Sequence, residues 1–239
     1  MKKRRRLGQH LLVDTNVLNV ILDTVDLRRN EIVYEIGTGN GMLTAELCKR
    51  AGKVISCEID KTMVPSKDLG KYDNLTLLHG DGFTFDFSFD VFVSNLPYSK
   101  SRKAIEWLAK KKFNRAVIMV QKEFTTKMLS EHGRSYRAIS ALAQYCFYID
   151  IIMNVGRNSF RPRPEVDSTL LRLMPKNRVN DGLIKSLKLL FSYRGKKLRA
   201  ITRKFKIDTN IDKRVEQLTP TEAVGLATII EQHILQTVR

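Results

Sequence analysis

The segment Glu35-Ile36-Gly37-Thr38-Gly39-Asn40-Gly41 most constrains what this chain can fold into. Residues 31–36 before it read as a strand. Residues 42–50 after it carry helical spacing through Leu43 and Leu47 toward Ala51. A strand that turns sharply into a helix through glycines opens a parallel α/β unit. Glycines at 37, 39 and 41 let the backbone bend and approach a ligand closely. The spacing is GxGxG rather than GxGxxG, so the loop alone does not specify a ligand.

The pattern continues along the chain. Strands are expected near 54–59, 75–79, 89–94 and 115–121, with helical segments between them, which predicts a parallel sheet with helices on both faces. Residues 147–155 and 169–174 read as two later strands flanking a proline-bounded loop that starts at Phe160. Pro175-Lys176-Asn177 marks a boundary, and helical periodicity over 183–191, 197–205 and 221–234 predicts a small all-α appendage. Thr219-Pro220-Thr221-Glu222 has the makings of a helix start: a hydroxyl cap, proline first, then an acid.

Three strand ends carry chemistry in order. The first delivers the glycines. The second ends at Glu58, within about 20 residues of the loop, where an acid commonly grips ribose hydroxyls. The third runs into Gly80-Asp81, which places Asp81 to meet an adenine amine. Each carboxylate by itself could be a solvated strand end; together they outline a nucleoside-shaped crevice. A fourth strand runs into Asn95-Leu96-Pro97-Tyr98. The Asn95 side-chain oxygen and the Leu96 carbonyl can each accept from an exocyclic amine while Tyr98 stacks on its ring. An ordinary turn after a strand is the alternative.

Composition narrows the partner. With 42 Lys and Arg against 25 Asp and Glu, the formal charge is +17, a surplus that favours a polyanion, nucleic acid first. No 18-residue apolar run exists, so a membrane span is not expected. Lys and Arg cluster twice: nine without an acid over residues 185–206, and eleven against three acids over 100–137. Lys196, Lys197, Arg199 and Arg203 are the candidate phosphate contacts, with a merely solvated face as the alternative. The Met1 to Arg6 stretch reads as a basic arm or a solvated terminus; Gly8, Gln9, His10 and Asp14 interrupt any signal-peptide core behind it. Cys48, Cys57 and Cys146 lack metal spacing and read as buried thiols of a reducing cytosol, and no metal site is expected among the scattered histidines.

Gly37-x-Gly39-x-Gly41, Glu58, Asp81 and the Asn95–Tyr98 tetrapeptide resemble the S-adenosylmethionine-dependent adenine-N6 methyltransferases. Three further stretches are similar to the KsgA/Dim family of rRNA adenine dimethyltransferases: Leu7-Gly8-Gln9-His10-Leu11-Leu12, Gln121-Lys122-Glu123-Phe124, and Phe160-Arg161-Pro162-Arg163-Pro164-Glu165-Val166-Asp167-Ser168. The resemblance spans residues 7–175 and continues weakly beyond, and it lies closer to the archaeal and eukaryotic branch. Where the family often reads Gln-Ile-Ser-Ser-Pro after the tyrosine, this chain has Ser99-Lys100-Ser101-Arg102-Lys103.

The resemblance implies a Rossmann-like methyltransferase sheet, whose antiparallel end is the pair of strands at 147–155 and 169–174, with a small C-terminal all-α domain. Its divisions are a basic arm and cofactor-covering helix (1–30), the S-adenosylmethionine-binding domain (31–175) and an RNA-binding helical domain (176–239). It implies S-adenosylmethionine as cofactor, held by His10, Leu12, Gly37, Gly39, Glu58, Asp81, Gly82 and Asn95. Catalysis then falls to Asn95, Leu96, Pro97, Tyr98 and Phe160, with Tyr98 and Phe160 sandwiching a flipped adenine; a buried core aromatic is the alternative for Phe160. The expected activity is dimethylation of two adjacent adenosines near the 3′ end of small-subunit rRNA, by a cytoplasmic monomer acting on that rRNA or a precursor subunit. A large-subunit methyltransferase of the erythromycin-resistance kind, and a nucleic-acid-binding assembly or transcription factor on the same fold, are the alternatives.

Overall fold

The computed structural model describes residues 10–63, 65, 68–205 and 211–237. The basic arm, Leu7-Gly8-Gln9 and Lys206 lie outside them, as does the side chain of Arg203.

Among the described residues nine strands form: β1 (Leu11–Leu12), β2 (Ile32–Ile36), β3 (Lys53–Glu58), β4 (Leu75–His79), β5 (Val91–Asn95), β6 (Arg115–Gln121), β7 (Phe147–Val155), β8 (Phe160–Arg161) and β9 (Ser168–Pro175). The helices are α1 (Thr15–Val25), α2 (Met42–Cys48), α3 (Ser101–Leu108), α4 (Lys122–Met128), α5 (Ala138–Cys146), α6 (Asp181–Ser192), α7 (Leu198–Phe205) and α8 (Pro220–Thr237). Seven strands make one sheet in the order β4-β3-β2-β5-β6-β9-β7. The first five are parallel, and β9 runs antiparallel to β6, as expected of the later strands. The order reverses between β2 and β5, so a crevice opens at their carboxyl ends, where α/β sheets bind ligands.

The central strands are apolar on both faces because helices cover both. Val33, Val54, Val91, Phe92, Ala116 and Ile118 are completely buried. Chain ends of this sheet are tied by charge. Arg115 at the start of β6 donates to both oxygens of Glu31 at 2.7 Å, and this pairing holds the Glu31 carboxyl below its ordinary range despite burial.

The N-terminal segment is fastened from two sides. Asp14 caps α1 by accepting from the amides of Asn16 and Val17, at 3.0 and 3.3 Å. Its other oxygen accepts from Ser159 at 2.8 Å, and that bond lowers the Asp14 pKa. Beside it β1 pairs antiparallel with β8, Leu12 opposite Phe160 and Leu11 opposite Arg161. This two-residue ladder was not expected from the sequence, since so short a pairing has no periodicity to read.

Two compact units result. The first runs through Ala104, resumes at Lys112–Lys122 and again at Ile149–Pro175. The second takes everything from Lys176, and adds Ile105–Lys111 and Glu123–Tyr148. In that unit α6 and α5 both pack on α8, burying Ile184, Leu187, Leu142, Ala227 and Ile230. The helix start at Thr219 forms as a reciprocal cap: Thr219 Oγ1 accepts from the Glu222 amide at 3.2 Å, and Glu222 accepts from the Thr219 amide at 2.8 Å. Cys48, Cys57 and Cys146 are all buried and free. Among the described residues no helix is long and apolar enough to cross a membrane, and no cluster of three or more His, Cys, Asp or Glu could hold a metal.

Candidate active site

The crevice at the ends of β2, β3, β4 and β5 gathers most of the expected residues. His10, Leu12, Gly37 and Gly39 line it, as do Glu58, Asp81, Gly82, Asn95, Leu96 and Pro97. Two glycines are required by close approach. Gly39 has φ +57°, and a Cβ there would lie 3.0 Å from Leu11 Cδ2. A Cβ on Gly82 would meet Ile36 Cγ1 at 2.7 Å. At both, a neighbouring side chain packs against the backbone where a Cβ would stand, so the chain can pass there only as glycine.

Glu58 Oε2 accepts from the Gly39 amide at 3.0 Å, and Oε1 accepts from the Asp60 amide at 2.9 Å. This carboxylate braces the glycine loop while lining the crevice. Asp81 accepts from the Phe83 amide at 3.1 Å and from Lys103 Nζ at 2.7 Å. Burial pushes its carboxyl up, but Lys103 and the Phe83 amide outweigh this and leave it below the ordinary carboxylate range. Lys103 also sits over the Phe83 ring, 4.8 Å from its centroid. It belongs to the stretch that departs from the family pattern, and nothing in local sequence linked it to Asp81.

A buried polar chain lies beneath the glycine loop. Glu35 Oε2 accepts from Thr44 Oγ1 and Ser56 Oγ, each at 2.6 Å. Ser56, having spent its proton there, accepts from Thr38 Oγ1 at 2.7 Å. Glu35 is fully buried and its Oε1 has no partner among the described residues. Burial pushes its pKa up to about 7 against these two hydroxyl donors. Sequence reasoning treated Glu35 only as part of the loop; the available signal was an acid inside an apolar strand.

The Asn95 amide is oriented by its surroundings. Its Nδ2 donates to the His10 carbonyl at 3.1 Å, which leaves Oδ1 as the acceptor. Tyr98 begins a short 3-10 turn after Pro97, and its hydroxyl is hydrogen-bonded to Ser168 Oγ at 2.6 Å. It does not line the crevice, and its ring lies against His10, centroids 5.5 Å apart and planes at 31°. Phe160 departs from expectation. It is 0% exposed and packs in the core with Leu12, Val17, Leu18 and Leu170. The β1–β8 ladder sets it opposite Leu12, and its ring is enclosed in this structure. Lys196, Lys197 and Arg199 are exposed in the second unit, with Lys197 paired to Asp212 at 3.4 Å.

Comparison with known proteins gives these features a family. The family model for ribosomal RNA adenine dimethylase matches residues 1–229. The chain belongs to that family. It is 31% identical over 250 residues to a probable ribosomal RNA small subunit methyltransferase A from Pyrococcus abyssi, covering 95% of this chain and 92% of that protein. Among solved structures it is similar to a dimethyladenosine transferase from Plasmodium falciparum, with TM-score 0.79 and 28% identity over 94% of this chain and 98% of that one. The 23S rRNA methyltransferase ErmE matches with TM-score 0.67 and 24% identity, over 93% and 100% of the two chains, a likeness of fold. The sheet is thus the Rossmann-like methyltransferase sheet expected from the sequence.

Proposed function

We propose that this protein transfers methyl groups from S-adenosylmethionine to N6 of two adjacent adenosines near the 3′ end of small-subunit rRNA, as a cytoplasmic monomer acting during small-subunit biogenesis. The observation that carries this reading is the Asn95 amide, oriented by the His10 carbonyl so that an acceptor remains at the end of β5 in the crevice. When bound, S-adenosylmethionine supplies a methyl group on a sulfonium, an activated donor that needs no strong base.

The protein's own residues do the rest by position. The glycine loop and Gly82 give close backbone approach, Glu58 accepts from ribose hydroxyls, and Asp81 accepts from the cofactor's adenine amine. On the substrate side, the N6 lone pair is delocalised into the base, which makes the amine a poor nucleophile. Hydrogen bonds from N6–H to Asn95 Oδ1 and the Leu96 carbonyl favour a tetrahedral nitrogen and free that pair for in-line attack. Exposed Lys196, Lys197 and Arg199 supply phosphate contacts that carry no base information.

The relative named for the small subunit favours that rRNA over the large-subunit alternative, since the likeness to ErmE speaks only to fold. The assembly-factor alternative would not require the crevice to keep Glu58, Asp81 and Asn95 together, as it does. The test is to incubate the protein with labelled S-adenosylmethionine and separated ribosomal subunits and map the labelled nucleotides. Label on two adjacent small-subunit adenosines is expected; label confined to large-subunit RNA, or none, refutes the reading.

A further inference from the structure

We propose that Lys103 is a positioning residue for cofactor binding, clamping the adenine end of the crevice by bracing Asp81 and Phe83. The inference rests on the reading above that Asp81 accepts from the cofactor's adenine amine. Asp81, Gly82 and Phe83 line the crevice, whereas Lys103 does not, so its ammonium meets the carboxylate from beyond the crevice wall. Asp81 Oδ1 accepts from the Phe83 amide at 3.1 Å, and Oδ2 accepts from Lys103 Nζ at 2.7 Å. With one donor alone the carboxylate could swing; with a donor on each oxygen its plane is fixed. An ionised carboxylate has about four acceptor positions, so a brace on each oxygen leaves room for an amine. The same ammonium stands over the Phe83 ring, 4.8 Å from its centroid. One side chain thus holds both the acceptor and the aromatic wall beside it.

Fold stability does not account for this arrangement. The Lys103 and Asp81 side chains are 46% and 33% exposed, and ion pairs so open to water contribute little to folding. A bound cofactor changes the setting. Adenine against Asp81 takes the carboxylate out of water, where an unpaired charge is costly and a paired one far less so. Lys103 keeps the acceptor charged and oriented under that cover. It stands where the family pattern has proline, a residue with no side-chain donor, so the clamp belongs to this chain rather than to the pattern. Lys103 also lies on α3, directly after the turn at Tyr98, so the clamp ties the adenine end of the crevice to the segment that carries Asn95.

The test is a double-mutant cycle on S-adenosylmethionine affinity, measured by calorimetry for the wild type, Lys103→Met, Asp81→Ala and the double variant. Asp81→Ala should bind roughly 10- to 150-fold more weakly, the range for a hydrogen bond to a charged group. Lys103→Met should lose about 3- to 5-fold, the upper end for an ion pair of this exposure, and its melting temperature should stay close to that of the wild type. Lys103→Arg keeps the charge and a donor, so it should restore most of the loss. The double variant should match Asp81→Ala, because a positioning residue then has nothing to position. The direction of the Lys103→Met change is itself informative. S-adenosylmethionine carries a net positive charge, so removing a cation through the general field alone would tighten binding.

Unchanged or tighter binding by Lys103→Met overturns the inference. Losses that multiply in the double variant overturn it too, since they put Lys103 on the cofactor itself or on the fold at large. A wild type that does not bind S-adenosylmethionine, or an Asp81→Ala variant that binds it as tightly as the wild type, refutes the parent reading of the crevice, and this inference falls with it. Weak binding by Asp81→Ala beside wild-type binding by Lys103→Met refutes this inference alone.

Discussion

Replacing Glu35 with glutamine should flatten the pH dependence of stability between pH 5 and 8. Its carboxyl is enclosed beneath the glycine loop, and burial pushes its pKa from an ordinary 4.5 to about 7. The fold thus prefers the protonated form. Its contribution is whole below about pH 4.5 and is lost as pH rises through about 7, because the unfolded chain releases the proton first. A shift of that size corresponds to about 3 kcal/mol, most of it falling between pH 5 and 8. For a chain of this length that is roughly 6–12 °C in melting temperature. Glutamine can still accept from Thr44 and Ser56 through its oxygen, while its amide takes the position of Oε1, which has no partner among the described residues. The constant cost of that unmet amide shifts all pH values equally, so the slope, not the midpoint at one pH, carries the result. Calorimetric melting of both proteins across the window is the assay. Parallel slopes would show that Glu35 is already ionised in the native state at pH 5, and the account of its burial would be wrong.

Four other outcomes are expected. Glu58→Ala should weaken S-adenosylmethionine binding by about 1.5–3 kcal/mol, the range for bonds to a charged acceptor, and Asp81→Ala should weaken it from the adenine end; unchanged calorimetric affinity in both folded variants would sink the crevice assignment. Phe160→Ala should cost about 3–5 kcal/mol in urea unfolding, as for a core aromatic, whereas a near-neutral change would return Phe160 to the surface. Neutralising Lys196, Lys197 and Arg199 together should weaken RNA binding and flatten its salt dependence without moving cofactor affinity; an unchanged slope makes this a solvated face. Asn95→Ala should slow single-turnover transfer on the order of 10²–10³-fold while RNA affinity changes far less, and transfer at the wild-type rate would rule out its role at N6.

What was legible in the sequence is what is local in it. The strand-to-helix turn at Gly37–Gly41, the strand ends at Glu58 and Asn95 and the cap at Thr219 each announce themselves within a few residues, because turn geometry and capping act over that distance. The resemblance added the antiparallel end of the sheet, β9 against β6. The failures are all long-range. Phe160 sits in a polar, proline-bounded loop that favours a wall for the base over a core aromatic, and its burial follows only once β8 pairs with β1 from the other end of the chain. Lys103 reads as one more surface charge, until the fold brings it to Asp81. Residues 105–111 and 123–148 read as part of the sheet domain, yet they cluster with the C-terminal helices, whose apolar faces need a partner that periodicity alone does not name.

The orientation of Asn95 is the sharpest case of this limit. An asparagine at a strand end can present a donor or an acceptor, and the difference decides whether it can receive N6–H at all. Its residue type leaves that open. The choice is made by a backbone carbonyl 85 positions away, at His10, and every non-proline residue carries an identical carbonyl. Only the fold selects which one arrives. The tetrapeptide therefore specifies a kind of chemistry, while its direction comes from the N-terminal segment, fastened by the cap at Asp14 and the β1–β8 ladder. Loosening that fastening should free the Asn95 amide to turn, so the ladder and the cap belong to the site's function although neither touches a reacting atom.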